Sequence, residues 1–356
     1  MRSLCGLREG EIVADTNREA WVHSRAPRLA RVALVTNDEP TSTTPQPRQS
    51  LQTMLSARFA SAIDSAMKHS IEYASGEPIR QVEAVRRIRK ATKVLRAVIA
   101  LASEAAPVES LAGADRMLGD TSSLLSPIRD RDAMLATIER LLGANDDARI
   151  RQARMTLTAV VLPTDMSADA DGQSKVLRDL LVQQAIGILA RLTAASHHFR
   201  FECVTVDGVV DAISESWRAA RRLASSEWAT ADSEASHVLR KQCSRLAIQL
   251  AIVDSHAPRS IRQIRKGLRA ITSSLGREHD LAMLAERISL ERSSFPNAQF
   301  VATAIELCAR ARCRMRDQAS SNVDRTFSIR TKSFRRGLNL AVSQPDTPLD
   351  QGAESQ

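Results

Sequence analysis

The sequence predicts an all-α protein, and three observations predict it. Apolar residues recur at helical spacing from Leu51 onward, no segment alternates convincingly at period two, and the breaks fall at helix-ending Pro and Gly positions. The first helix starts at Leu51 and stops at Gly76-Glu77-Pro78. The second stops at Ala105-Ala106-Pro107 and the third at Ser126-Pro127, because proline lacks an N–H and restrains the residue before it. An Asp-, Ser- and Thr-rich stretch from Leu162 to Gln173 reads as a spacer between two halves. Val204 to Val209 has strand-like composition, but Asp207-Gly208 leads into an amphipathic helix through Leu223. Asp232 or Ser233 is placed to cap the next helix. A last long helical stretch runs from about Asn297 to Gln318. Residues 1–50 mix Arg, Asp, Thr and Pro without period and are expected to be disordered, Ala30 to Val35 being the one short piece suited to order. The polar stretch 342–356 is expected to be a disordered tail.

Composition narrows the function. A chain of 356 residues, 43% hydrophobic, can bury one large core or two smaller ones. Its formal net charge of +9 calls for an anionic partner: nucleic acid, a phosphate polymer or an acidic lipid surface. Aromatics are only 3%, with one Tyr and three Trp. Proteins that hold single-stranded nucleic acid stack bases on aromatic rings, so this charge points to phosphate rather than to bases. The five cysteines, Cys5, Cys203, Cys243, Cys308 and Cys313, form no CxxC pair. With no secretory apolar segment ahead of them, a reducing, cytoplasmic setting is expected. No run approaches the ~18 apolar residues of a membrane span.

One basic helix is written twice. Ala84 to Arg96 recurs as Ser236 to Leu246, each copy holding an Arg-Lys pair (Arg89-Lys90, Arg240-Lys241) three residues after Arg86 or His237. Ile88 and Leu95 match Leu239 and Leu246. Each copy is followed by a motif ending in Asp, at Leu125–Asp130 and Leu275–Asp280, which reads as a turn. In the first copy, Arg86, Arg89, Lys90 and Lys93 fall within about 100° around the helix, opposite Val85, Ile88, Thr92, Leu95 and Ile99. A solvated face is the plain alternative, but such faces mix signs because like charges at i,i+4 destabilise. No acid lies between Arg86 and Leu101, and the pattern repeats. The duplication therefore points to a two-fold-related site for a large anion.

In order, Glu77–Leu101, Leu125–Asp130, His237–Lys241 and Leu275–Leu281 resemble the CHAD domain, the conserved histidine α-helical domain. Phe327–Arg336 is similar to that family's closing motif. The resemblance spans about 51–341, with halves at about 51–165 and 174–341. It implies two helical bundles related by a pseudo-two-fold internal duplication, around a basic central cavity that binds inorganic polyphosphate. It also implies association with polyphosphate or other storage granules. It adds Arg129, from the first-half motif, and Lys332, Arg335 and Arg336, from the closing motif, to the site. The chain departs from the pattern at Arg86, where the family has a histidine, and at Ser244 and Ala247, which match Lys93 and Arg96. Arg for His keeps the charge and removes the pH response of that position. Arg245 stands about 80° round the helix from the lost position and is placed to compensate. Many relatives carry an acidic ExExK tunnel domain ahead of this one; nothing in 1–50 resembles it, so triphosphate hydrolysis and polymerisation are not implied.

Other residues carry two readings. His279-Asp280 is similar to the pair in HD phosphohydrolases, but those enzymes need further His and Asp ligands, and His197-His198 lack the spacing. The expectation is no metal and no cofactor, with His237 and His279 donating to phosphate. Asp130 and Asp280 are expected to cap the next helix or to orient a neighbouring Arg. Arg218, Arg221 and Arg222 share one face, for which a solvated surface and a lining of the same cavity weigh equally. The expected function is non-enzymatic binding of inorganic polyphosphate through Arg86, Arg89, Lys90, Lys93, Arg96, Arg129, Arg218, Arg221, Arg222, His237, Arg240, Lys241, Arg245, His279, Lys332, Arg335 and Arg336. Nucleic-acid binding on the same surface is the first alternative, and an HD-type enzyme the second. The first copy carries more cations on one face, so it is expected to dominate affinity.

Overall fold

The computed structural model describes residues 50–343 except 106–108, 144–146, 162–167, 200, 227, 230–232, 254–256 and 296. Among the described residues there are eleven α-helices and no strand. They are α1 (Leu51–Ser75), α2 (Pro78–Ala105), α3 (Glu109–Leu124), α4 (Ser126–Leu142), α5 (Ala148–Val161) and α6 (Ala168–Ala195). Then come α7 (Val206–Ala224), α8 (Ser233–Ile252), α9 (Arg259–Leu290), α10 (Ala298–Phe327) and α11 (Thr331–Ser343).

Side chains start several of these helices. Ser50 Oγ accepts from the Thr53 N–H at 3.2 Å, Thr205 Oγ1 from Gly208 at 3.1 Å, and Asn297 Oδ1 from Phe300 at 2.8 Å. Each satisfies a donor that the first helical turn leaves unpaired. The breaks at Gly76, after Ala105 and at Ser126-Pro127 fall where the sequence puts them.

Two four-helix groups share one hydrophobic core. In the first, α1 and α3 both pack on α2 and on α6; in the second, α8 lies between α7 and α9, and α9 packs along α10. The groups meet where α2 touches α7 and α8. Helix α4, although it belongs to the first half of the sequence, packs on α9, and α11 covers α7. Trp217 is fully buried where these pieces converge, stacked on Phe334 of α11 at 4.3 Å and tilted against Phe327 of α10 at 5.0 Å. Such an aromatic contributes about 2–3 kcal/mol by burial alone. In the first group, Tyr73 of α1 is buried and donates to Asp179 of α6 at 2.7 Å.

Several expectations are corrected. The motif Leu275–Asp280 is no turn: it lies inside α9, a single helix of 32 residues. Gly276 costs a helix only about 1 kcal/mol, and buried Leu275, Leu281 and Leu284 hold the helix to the core on both sides of it. The expected loop from Leu162 to Gln173 is helical from Ala168, its earlier part lying outside the described residues. Val206 to Val209 is helical, and α10 runs nine residues past Gln318 because Ala319, Val323 and Phe327 keep one face buried. The expected cap at Asp232, the segment 1–49 and the tail after Ser343 lie outside the described residues.

Candidate functional site

Helix α2 buries Ala84, Val85, Ile88, Thr92, Leu95 and Ile99, the face expected from sequence. Its cations are thereby turned the other way. Helix α8 buries Leu239, Cys243, Leu246 and Leu250, which turns out His237, Arg240 and Lys241. Because α2 and α8 touch, the flanks of the two stripes converge.

The convergence appears in the charges. Burial pushes the Arg89 guanidinium below its ordinary value, and the neighbouring Arg129 and Arg240 add to this while Asp130 partly offsets it. Arg240 is lowered in the same way, by burial and then by Arg129, against Asp280, Asp130 and Glu278. Lys93 touches solvent yet is hemmed in by protein. Burial of its ammonium, with Arg89, Arg240 and Arg129 around it, pushes it down to about 8. Four cations from α2, α4 and α8 thus repel one another in one place. Arg129 is the exception: burial lowers it, but its bond to Asp130 and the charges of Asp280 and Asp130 outweigh that and raise it.

The acids are already engaged. Arg129 donates to Asp130 Oδ1 and to Asp280 Oδ1, each at 2.8 Å, and Arg140 approaches Asp280 Oδ2 at 3.8 Å. Of the two roles expected for these acids, orienting an arginine is therefore the one they fill. Asp280 lies within α9 and Leu125 stands at the α4 N-cap, so neither acid caps a helix there. Arg89 donates to the Ser122 carbonyl and to Ser126 Oγ, which anchors it over the α3–α4 junction.

The two histidines meet here as well. Their ring centroids lie 4.9 Å apart at 45°. Arg240 Nη2 is 2.9 Å from His237 Nδ1, and since a guanidinium only donates, Nδ1 must accept and the ring is neutral. Burial, Arg240, Lys241 and His279 push His237 down to about 4, with Glu234 opposing. His279 is lowered too, by burial and then by Arg240 and Arg129, against Asp280 and Asp130. Among the described residues no three His, Cys, Asp or Glu side chains gather to hold a metal ion.

The structure gathers Arg89, Lys93, Arg129, His237, Arg240 and His279, with Lys241 at the edge beside His237. Other expected residues are engaged locally. Arg86 extends into solvent near Glu83 at 3.7 Å, and Arg96 bonds Asp115 on α3. Arg218 and Arg222 both bond Glu215, the solvated-surface reading, and Arg221 donates to the Ile329 carbonyl and Thr331 at the start of α11. Arg335 pairs with Asp211 at 2.6 Å. Lys90, Lys332 and Arg336 are exposed, and Arg245 is half-buried on α8. A surface depression of about 400 Å³, lined by Asp120, Ser123, Leu124, Pro127 and Leu181, holds none of these cations.

Sequence reasoning missed Arg140 and a clamp behind the site. Glu278 of α9 is almost wholly buried and accepts from Arg312 at 2.9 Å and from Arg316 at 3.2 Å, both on α10. The i,i+4 spacing of Arg312 and Arg316 was the available signal. Their shared acid, 34 and 38 positions away, was not.

No helix among the described residues is long and apolar enough to cross a membrane. No curated protein matches the chain. Among solved structures, the crystal structure of the CHAD domain from the plant Ricinus communis is similar over 82% of this chain and 92% of that one, with 17% identity and a TM-score of 0.46. The family model of the CHAD domain matches residues 57–289, from within α1 to the last turn of α9. On that match, the chain belongs to the CHAD domain family.

Proposed function

We propose that this protein binds inorganic polyphosphate without chemically altering it, using the cluster of Arg89, Lys93, Arg129, Arg240, His237 and His279. The observation that carries the reading is the mutual repulsion of four cations whose nearby acids are already held by Arg129. Such a cluster destabilises the empty protein, and a polyanion relieves it. Guanidinium groups grip phosphate oxygens with directed hydrogen bonds. The buried Nε of Arg240 has no hydrogen-bond partner among the described residues, so the protein leaves this guanidinium incompletely satisfied. Family membership supports the same ligand. On this reading the protein acts as a binding module, in the cytoplasm and on polyphosphate granules.

The test is a titration of the purified protein with long-chain polyphosphate and with duplex DNA, at matched phosphate and two salt concentrations. Tight binding of polyphosphate that weakens with salt, and a higher melting temperature in its presence, is the expected result. Equal binding of DNA transfers the surface to nucleic acid. Turnover of polyphosphate or of simple phosphate esters removes the non-enzymatic part of the reading.

A further inference from the structure

The face of α9 that meets α4 continues beyond it. Arg262 and Asp280 are separated by about five whole turns of helix, so they point the same way from the axis. Asp280 is buried at the α4 contact, where Arg129 and Arg140 reach it. Toward the N-terminus the same face carries Arg277, Ser273, Arg269, Lys266 and Arg262, all within about 60° of one line. Every one of them is exposed. The other side of this stretch is buried through Ile261, Ile264, Leu268, Ile271 and Leu275. From Arg259 to Arg277 the helix carries no acid and no aromatic residue. The side chains of Arg262, Lys266 and Arg269 make no ion pair or hydrogen bond among the described residues.

We propose that this row is a track that extends the central cluster, on which a long polyphosphate chain continues along α9 after leaving Arg129 and Arg140. The inference rests on the polyphosphate reading and deepens it, because it assigns a length preference. The row reaches about 27 Å from the level of Asp280 to that of Arg262, at 1.5 Å per residue. A linear polymer with a charge on every phosphate meets successive cations along such a line. A short oligomer fills the centre and stops there. Without aromatic platforms the row offers phosphate contacts only, which suits a polymer that has no bases. Each exposed cation adds little alone, but a chain already held at the centre presents its next phosphates at high effective concentration.

The test uses the full chain with two ligands, long-chain polyphosphate and tripolyphosphate, and two variants. One is Arg262→Gln/Lys266→Gln/Arg269→Gln; the other is Arg89→Gln/Arg240→Gln at the centre. The row variant is expected to weaken the long chain about tenfold and to flatten its salt dependence by about two to three released counterions. Its tripolyphosphate affinity is expected to stay unchanged. The central variant is expected to weaken both ligands. A charge-keeping Arg262→Lys/Arg269→Lys variant retains affinity, which separates lost charge from a damaged fold. If the row variant leaves long-chain affinity and salt slope as they were while the central variant lowers them, the track is overturned and the binding reading stands. Equal losses for both ligand lengths also overturn it, since the row then acts as diffuse charge. A row variant that loses duplex DNA and keeps polyphosphate overturns it in favour of nucleic acid. If the central variant binds both phosphates like the wild type, the underlying reading falls.

Discussion

Arg129 of α4 donates to Asp280 of α9 at 2.8 Å while donating to its own neighbour Asp130 at the same distance. One guanidinium thus joins the helix that follows the first-half break to the longest helix of the second half. It also occupies the acids nearest the cationic cluster.

Replacing Asp280 with Asn should therefore act in opposite directions on stability and binding. The empty protein loses a charge-assisted bond in a nearly buried position, which costs about 1–3 kcal/mol. Polyphosphate affinity rises several-fold, because one negative charge leaves the site. Thermal melts and a binding isotherm on the same preparation check both signs, and a variant that binds more weakly refutes the electrostatic account.

Position in the cluster should outrank membership of either copy. Arg89 and Arg240 lie in one another's field, so each single change to Ala is expected to weaken polyphosphate by about tenfold, near 1.4 kcal/mol. Arg86→Ala and Arg96→Ala, whose cations face Glu83 and Asp115, are expected to change it less than about twofold. Isotherms at fixed salt rank the four. A loss from Arg86 equal to that from Arg89 would restore the reading of the whole α2 stripe as the ligand face.

The pH response follows Lys93 and the two histidines. Lys93 at about 8 is depressed from its unfolded value, so the folded protein binds fewer protons and gains stability as pH rises from 8 toward 10. His237 at about 4 and the lowered His279 act alike at acid pH, and stability falls as pH drops from about 6.5 toward 4. A bound polyanion favours the charged form of all three. Affinity should fall between pH 7 and 9 as Lys93 loses its proton, and Lys93→Arg should remove most of that fall. An unchanged slope in Lys93→Arg would assign the response elsewhere. The first copy of the basic helix loses the pH response of one position where Arg86 stands for histidine, and this lysine gives it another.

Gly267 is held to its size by α10. A Cβ there would overlap Thr326 Oγ1, although Ala is otherwise the better helix former. Gly267→Ala is expected to destabilise by about 1–3 kcal/mol, and Thr326→Ala in the same chain to recover most of it. Denaturant melts of the single and double variants measure the coupling; additive losses would dismiss the contact.

Glu278→Ala should be the most damaging of these changes. It leaves Arg312 and Arg316 facing a buried void, which costs about 3–5 kcal/mol. That is a large share of the 5–15 kcal/mol that holds a domain folded. A melting temperature within a degree or two of wild type would mean that the two guanidiniums find solvent instead.

Helical periodicity carried most of the fold. The buried face of α2 was readable because Val85, Ile88, Thr92, Leu95 and Ile99 recur at one angle while acids are missing from the other. The continuity of α9 was not, since Gly276 resembles a stop signal unless the leucines on both sides are known to be anchored. In the site, the repeated Arg-Lys pairs singled out Arg89 and Arg240, and the structure sets the two in one another's field. The Arg129–Asp280 and Glu278–Arg312 bonds join positions 151 and 34 apart, and no local pattern encodes such partners. The capture of Arg218 by Glu215 was local, at i,i+3, and could be read from the helix alone.

The bond from Tyr73 to Asp179 makes the chain's one tyrosine an optical label for the first helical group. Burial, with the Asp179 hydrogen bond and charge, pushes its phenol up to about 12. Trp217 and Trp228 are buried in the second group's part of the sequence. Ultraviolet absorbance of ionised tyrosine at pH 11 therefore follows the loosening of α1 from α6, while indole fluorescence of a Trp21→Phe chain follows α7 and the segment after it. Recorded together during denaturation, the two signals show without any added dye whether the groups come apart in one step or in sequence.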